Sequence, residues 1–160
     1  MKINKDRPCL FIRLTNYEDY SFIKEHEKVI KEKGHVWILK IGQKVNPTYL
    51  KKVIEEHGLL IMKTPAKEGH KFYACELKDI EPKNIDVYPD YYKEFLYFNG
   101  FDLDTFKEVG YWFMVEKMKH ISDDIVEKFL VSSTKSNLLK VGKETRVVQM
   151  YVEPKEDVVI

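Results

Sequence analysis

Cysteine, proline and glycine are scarce in this 160-residue chain, at two, six and seven residues. Each shortage excludes something. Two cysteines cannot build the multi-bridge framework of a small secreted scaffold. Both, Cys9 and Cys75, lie inside apolar runs, where they read as small buried hydrophobes in a reducing compartment. Seven dispersed glycines leave no Gly-rich phosphate loop, and the serines at 21, 122, 132, 133 and 136 form no Gly-x-Ser-x-Gly elbow. The five histidines, at 26, 35, 57, 70 and 120, show neither i, i+4 pairing nor a Cys-x-x-Cys companion, so structural zinc is disfavoured. No window approaches the ~20 apolar residues of a membrane span. The charged start (Lys2, Lys5, Asp6, Arg7, Arg13) does not resemble a secretory signal, so a soluble, cytoplasmic protein is expected.

Charge of one sign is also lacking, the formal net charge being +1. It is unevenly placed: residues 1–67 carry a net +6, residues 68–110 a net −5, and residues 111–160 balance. A basic face from the first half is one reading; a mutual neutralisation of the two halves in space is the other. The side-by-side carboxylates Glu55 with Glu56 and Asp123 with Asp124 project about 100° apart on a helix, which suits solvation better than an acid–base pair. No catalytic residue, metal ligand or cofactor site follows from any of these patterns.

What the chain does have is aromatic mass, ten Tyr, nine Phe and two Trp, in a sequence 44% hydrophobic and 33% charged. That suits a globular domain large enough for a real core, with rings to spare for a groove or interface. Strand-like runs rich in β-branched and aromatic residues recur at 9–14, 35–41, 59–63, 72–77, 111–118 and 145–152. Helices are expected at 17–33, closed by Gly34, and at 48–57, opened by Asn46-Pro47 and stopped by Gly58. Residues 59–77 read as a hairpin and 81–89 as a connector. Asp90 can cap a short helix before the turn at Asn99-Gly100, and Ser122 another helix around Ile125 and Phe129. A further short helix is expected within 132–140, whereas 102–108 is too short to assign. Nothing divides the chain, so residues 1–160 are one domain, with 153–160 as a loose tail.

Binding residues are sought among the rings and cations. Trp37 sits mid-strand with Lys40 on the opposite face of the pleat. Trp112, Met114 and Glu116 share one strand face. Lys63 and Lys67 flank the Thr64-Pro65 loop. Core packing competes with a stacking role for both tryptophans, and solvation competes with a phosphate role for the lysines.

Residues 34–42 (Gly-His-Val-Trp-Ile-Leu-Lys-Ile-Gly), 60–63 (Leu-Ile-Met-Lys), 71–77 (Lys-Phe-Tyr-Ala-Cys-Glu-Leu) and 112–116 (Trp-Phe-Met-Val-Glu) together resemble the PUA-like superfamily, particularly its EVE and ASCH branches. Those families carry an aromatic on an early strand, then a hairpin, then a Trp-led strand followed by a short helix and a Leu-rich turn. Here the last two match 122–130 and Leu138-Leu139. The resemblance covers about residues 34–152 and leaves the strand and helix at 9–33 as an addition. It implies an α+β fold, a mainly antiparallel twisted sheet or partly open barrel with short flanking helices. It also implies a module that binds RNA or modified DNA bases in a cleft, although some ASCH-type proteins are hydrolases. On that reading Trp37, Tyr73 and Trp112 wall the cleft, Lys40, Lys63 and Lys67 neutralise phosphates, and Glu116 accepts from a base amino group. One alternative is a small hydrolase on the same fold, with Lys, Tyr and Glu as its chemical groups; the alternative from another class is a regulatory subunit. It would meet a protein partner through the aromatic segment from Tyr88 to Phe101 (residues 88–101), with seven rings in fourteen residues.

Overall fold

The computed structural model describes residues 1–40, 43–81, 85, 87–100 and 111–160. Parts of the expected 35–41 strand and of the 81–89 connector, Gly42, Phe101 and the stretch 102–108 therefore lie outside the described residues.

The centre of the fold is β2 (Cys9–Arg13), whose first four residues are buried on both faces. The short β1 (Lys2–Ile3) precedes it. The chain then enters α1 (Phe22–Lys33) through a double cap: the Asn16 side chain accepts from the N–H of Phe22 at 3.0 Å and Ser21 Oγ accepts from that of Lys24. Gly34, at φ 85°, ends the helix by donating its N–H to Ile30. After β3 (Val36–Lys40), Asn46 caps α2 (Pro47–Glu55) with Pro47 in its first turn, as the local signals require. β4 (Leu59–Lys63) then lies parallel beside β2, Leu10 opposite Leu60 and Arg13 opposite Lys63. The two strands start so close together that a Cβ on Gly58 would sit 1.7 Å from the Pro8 carbonyl oxygen.

A 3-10 turn at Ala66–Glu68 leads to β5 (Phe72–Glu76), which completes the expected hairpin with β4. Past α3 (Tyr91–Phe98), β6 (Tyr111–Val115) pairs with β3 as a separate antiparallel ribbon. β7 (Lys119–Ile121) joins the edge beside β5. α4 (Asp123–Val126), β8 (Phe129–Val131), α5 (Leu138–Glu144), β9 (Gln149–Pro154) and β10 (Val158–Val159) close the chain. The six-stranded sheet has the order β7-β5-β4-β2-β9-β8, antiparallel except for β2–β4, and it is open, with β7 and β8 as its edges.

Each sheet face buries its own cluster, as the period-2 alternation of side chains demands. Leu10, Ile12, Leu60 and Met62 pack with α1, α2 and the inner face of the β3–β6 ribbon (Val36, Ile38, Phe113, Val115). Phe11, Leu59, Ile61 and Phe72 pack on the other side with Val126, Leu138 and the terminal strands. The outer face of the ribbon is itself covered, by α3.

Several expectations change. The mixed α+β fold with a mostly antiparallel sheet and short flanking helices is present. Residues 9–33, expected as an addition, instead supply the central strand and its helix. Residues 153–160 are not a loose tail: β9 runs to Pro154, and β10 pairs with β1. Phe129 belongs to a strand, because Phe129 and Val131 are buried in register with Pro154 and Val152 of β9. The helix expected within 132–140 begins only after Asn137, which caps it, and the strand expected from 145 begins at Gln149. Residues 145–148 are held instead by Arg13, which donates from its side chain to the carbonyls of Thr145 and Val147 and from its backbone N–H to Val148. Cys9 and Cys75 are free and buried, as expected.

Candidate functional site

The structure scatters the residues singled out from the sequence. Trp37 (5% exposed) and Trp112 (3% exposed) lie on the outer face of the ribbon, Trp112 opposite Leu39 and Trp37 opposite Met114. There they pack under Tyr91, Tyr92 and Leu96 of α3 together with Ile85. The cleft expected between Trp37, Tyr73 and Trp112 does not form, because α3 occupies the side of the ribbon to which both indoles point. Tyr73 belongs to a different region, on β5 between Met62 and His120, with its ring edge-on to the His120 imidazole at 5.4 Å. Glu116 is exposed and lies 3.9 Å from Lys78, and Lys67 is exposed on the 3-10 turn. Lys63 is almost wholly covered, at 1% exposure.

Lys40 lies in yet another place. By alternation it falls on the inner side of β3, opposite Trp37, and it borders a pocket of about 290 Å³ at the C-terminal ends of β2 and β3. Ile12, Leu14 and Ile38 form the floor. The walls are rings from three places: Tyr17 from the loop after β2, Phe22 from the first turn of α1, and Tyr91, Tyr92 and Phe95 from α3. Asn16, Lys40 and Gln43 add polar groups. Lys40 Nζ donates to the Gln43 carbonyl at 2.6 Å, and burial lowers the pKa of its ammonium. Arg13 also borders the pocket, but its guanidinium is bound to the end of α5.

The rings are ordered among themselves. Tyr20 and Tyr91 stack at 5.1 Å, within 12° of parallel, and Tyr17 lies nearly parallel to both, with centroids at 6.5 and 6.3 Å. Phe95 meets Tyr17 edge-on at 5.3 Å. Such offset and edge-to-face arrangements suit the ring quadrupoles and hold each ring in place. Tyr20 is fixed further by donating to Glu94 at 3.2 Å.

Behind the wall, a hydrogen-bond chain positions Tyr92. Its hydroxyl accepts from the Leu39 N–H at 3.2 Å and donates to Nε2 of the buried His26, whose Nδ1 donates to the Phe22 carbonyl at 2.7 Å. Burial drives the His26 pKa down to about 3 and that of Tyr92 well above the usual phenol range. The pair therefore stays neutral. An imidazole held neutral this way is a weak base, and a phenol held neutral is a weak nucleophile, so the arrangement orients a ring and activates nothing. Burial also raises the pKa of Tyr91. The Cys9 thiol is pushed up to about 12 by burial and is inert for the same reason.

No protein-family model, curated protein or solved structure matches this chain. Among the described residues, no group of three or more His, Cys, Asp or Glu is placed to hold a metal ion, and no helix is long and apolar enough to cross a membrane. Sequence reasoning reached Tyr91, Tyr92 and Phe95 only as members of a possible partner patch, and it placed Tyr17 and Phe22 on a helix without assigning them a site. The available signal was the density of rings at 88–101 together with the aromatics around the start of α1.

Proposed function

We propose that the protein is a binding module whose ligand is a flat heteroaromatic ring, most specifically a nucleobase of RNA or DNA presented out of its stack. The observation that carries this reading is the convergence of five aromatic side chains from three chain segments on one 290 Å³ pocket with a lysine on its border. The volume is at the small end for ligand sites and suits a single base. Apolar walls and near-parallel rings favour stacking, while Asn16, Gln43 and Lys40 are placed to read polar edges or a phosphate. The basic balance of residues 1–67 and the exposed Arg146, two residues from Val148 on the pocket border, supply attraction for a polyanion. The PUA-like architecture belongs to the same proposal and rests on the order of elements over residues 34–152, with the base site moved from the tryptophans to α3. A cytoplasmic location is supported by the two free thiols.

The test is a titration with nucleosides and short single-stranded RNA and DNA, with and without modified bases, across a salt series. Tyr17, partly exposed, can be replaced without opening the core. Tyr17→Ala should weaken binding by about 1–3 kcal/mol, the usual stacking contribution. Lys40→Ala should weaken oligonucleotides more than nucleosides and flatten the salt dependence. Absence of binding to every base-containing ligand, or affinity untouched by Tyr17→Ala, would overturn the proposal.

One observation favours the partner-protein reading as well. Tyr97 and Phe98 on the outer side of α3 are 78% and 70% exposed. Binding abolished by Tyr97→Ser with Phe98→Ser, but not by Tyr17→Ala, would move the function to that surface.

A further inference from the structure

The C-terminal edge of the two parallel strands holds an unneutralised cation. Lys63 ends β4 and is 1% exposed, yet among the described residues its ammonium has neither a hydrogen-bond acceptor nor a carboxylate partner. Its neighbour in register, Arg13, shows what a structural cation does at this place. The Arg13 guanidinium donates from Nη2 to the carbonyls of Gly142 (3.0 Å) and Thr145 and from Nε to Val147, closing the C-terminal end of α5. Lys63 makes no such bond. Arg13 itself has spare capacity, because its Nη1 hydrogens meet no acceptor among the described residues.

Two more basic groups share this neighbourhood. Lys143, on α5, is exposed enough to pair with Asp123 at 2.5 Å. His70, exposed on the loop that follows β4, has its imidazole held below the usual range by desolvation and then by the charges of Lys63, Arg13 and Lys143. The same positive field acts on Lys63, whose ammonium is pushed down by burial first and then by Arg13 and Lys143. Covering most of a lysine that has no carboxylate partner is costly, and the positive charge of Arg13 beside it adds to the cost. The expense is recovered when an anion completes the group.

We propose that Lys63, Arg13, Lys143 and His70 form an oxyanion site at the C-terminal edge of β2 and β4, whose ligand is a tetrahedral phosphate group. Lys63 and Arg13 bring two positive charges that meet no carboxylate among the described residues, which suits a doubly charged anion better than a single carboxylate. Lysine here supplies a point charge, and the free Nη1 of Arg13 supplies directed donors. Strand alternation puts Lys63 on the sheet face of Phe11 and Ile61, opposite the face that floors the aromatic pocket, so the site centred on it is distinct from that pocket although Arg13 borders both. The phosphate can be inorganic or carried by a larger molecule.

Thermal unfolding in chloride and in phosphate at equal ionic strength tests the site. Phosphate at ten times its Kd should raise the wild-type midpoint by on the order of 3 °C beyond its general salting effect. Lys63→Met keeps the volume and removes the unpaired charge. It should raise the midpoint in chloride and lose the phosphate-specific gain, while Lys67→Met on the exposed turn keeps the gain. The His70 pKa, followed by NMR, should rise in phosphate relative to chloride, and that readout decides the matter if Lys63→Met folds poorly. An inorganic phosphate arm and a nucleoside 5′-monophosphate arm separate the two sources, and a nucleoside arm reports the aromatic pocket alone. Loss of nucleoside binding would sink the nucleobase reading without touching this one. Equal phosphate gains in wild type and Lys63→Met, or a His70 pKa that does not move with phosphate, would overturn the oxyanion site.

Discussion

Removing a single oxygen from Tyr92 tests how the back wall of the pocket is held. The hydroxyl is buried between Nε2 of His26 and the Leu39 N–H, while the other imidazole nitrogen is committed to the Phe22 carbonyl. Tyr92→Phe keeps the ring in the wall but strands the buried His26 ring nitrogen without a donor and takes the acceptor from the half-buried Leu39 amide. A stranded buried polar group costs about 1–3 kcal/mol and the half-buried amide adds less, so the change should cost roughly 2–4 kcal/mol. At about 2–4 °C per kcal/mol for a chain of this length, the midpoint should fall by roughly 5–15 °C. Urea unfolding followed by circular dichroism provides the free energy, with an unchanged m-value showing that the same surface is exposed. A second variant sharpens the result. His26→Leu removes the imidazole, so adding Tyr92→Phe then strands only the Leu39 amide. The double variant should therefore be more stable than the sum of the two singles implies, by about 1–2 kcal/mol. A Tyr92→Phe protein within about 0.5 kcal/mol of wild type would refute the hydrogen-bond chain.

Acid should reveal the same imidazole. His26 has a folded pKa of about 3 against 6.5 unfolded, so below pH 6.5 the unfolded chain takes up a proton that the folded one refuses. Its contribution is complete above pH 6.5 and falls by about 1.4 kcal/mol per unit as the pH drops toward 3, or roughly 3 kcal/mol by pH 4. Urea midpoints at pH 7, 5.5 and 4 should decline more steeply for wild type than for His26→Leu; parallel declines would count against a buried neutral imidazole. Gly58→Ala should cost at least about 3 kcal/mol, because the new Cβ meets the Pro8 carbonyl oxygen at 1.7 Å and Val53 Cγ1 at 3.1 Å, and backbone cannot yield as a side chain can. Near-wild-type melting of that variant would show that β2 and β4 do not start this close together.

Local signals in this chain translate into structure more faithfully than distant ones. The Gly34 stop, the Asn46-Pro47 start and the strand at 59–63 each depend on a few adjacent residues, and each appears where the sequence places it. β8 was missed because three residues carry no period of their own; Phe129 and Val131 become strand only by pairing with β9, some twenty residues later. The central position of β2 is equally invisible locally, since its partners are β4 and β9. For the site, alternation put Trp37 and Lys40 on opposite faces correctly. Which face would be open depended on where α3 settles, and nothing near residue 37 encodes that. The rings at 88–101 were conspicuous, but their division into pocket-facing Tyr91, Tyr92 and Phe95 and outward Tyr97 and Phe98 follows from one helix lying on the ribbon.

The position of β2 between β4 and β9 has a consequence for biosynthesis. Cys9 pairs with Val152, so the strand at the middle of the sheet gains its second neighbour only when the sheet's last strand in chain order has left the ribosome. Until then the nascent chain presents one long side of a strand whose first four residues, Cys, Leu, Phe and Ile, are apolar and whose backbone groups on that side are unpaired. Closing a loop of that span is slow compared with forming the α1 or α2 helices or the β4–β5 hairpin. The interval before closure is when this protein is most exposed to association with its own copies, and a holdase that covers residues 9–13 would protect it then.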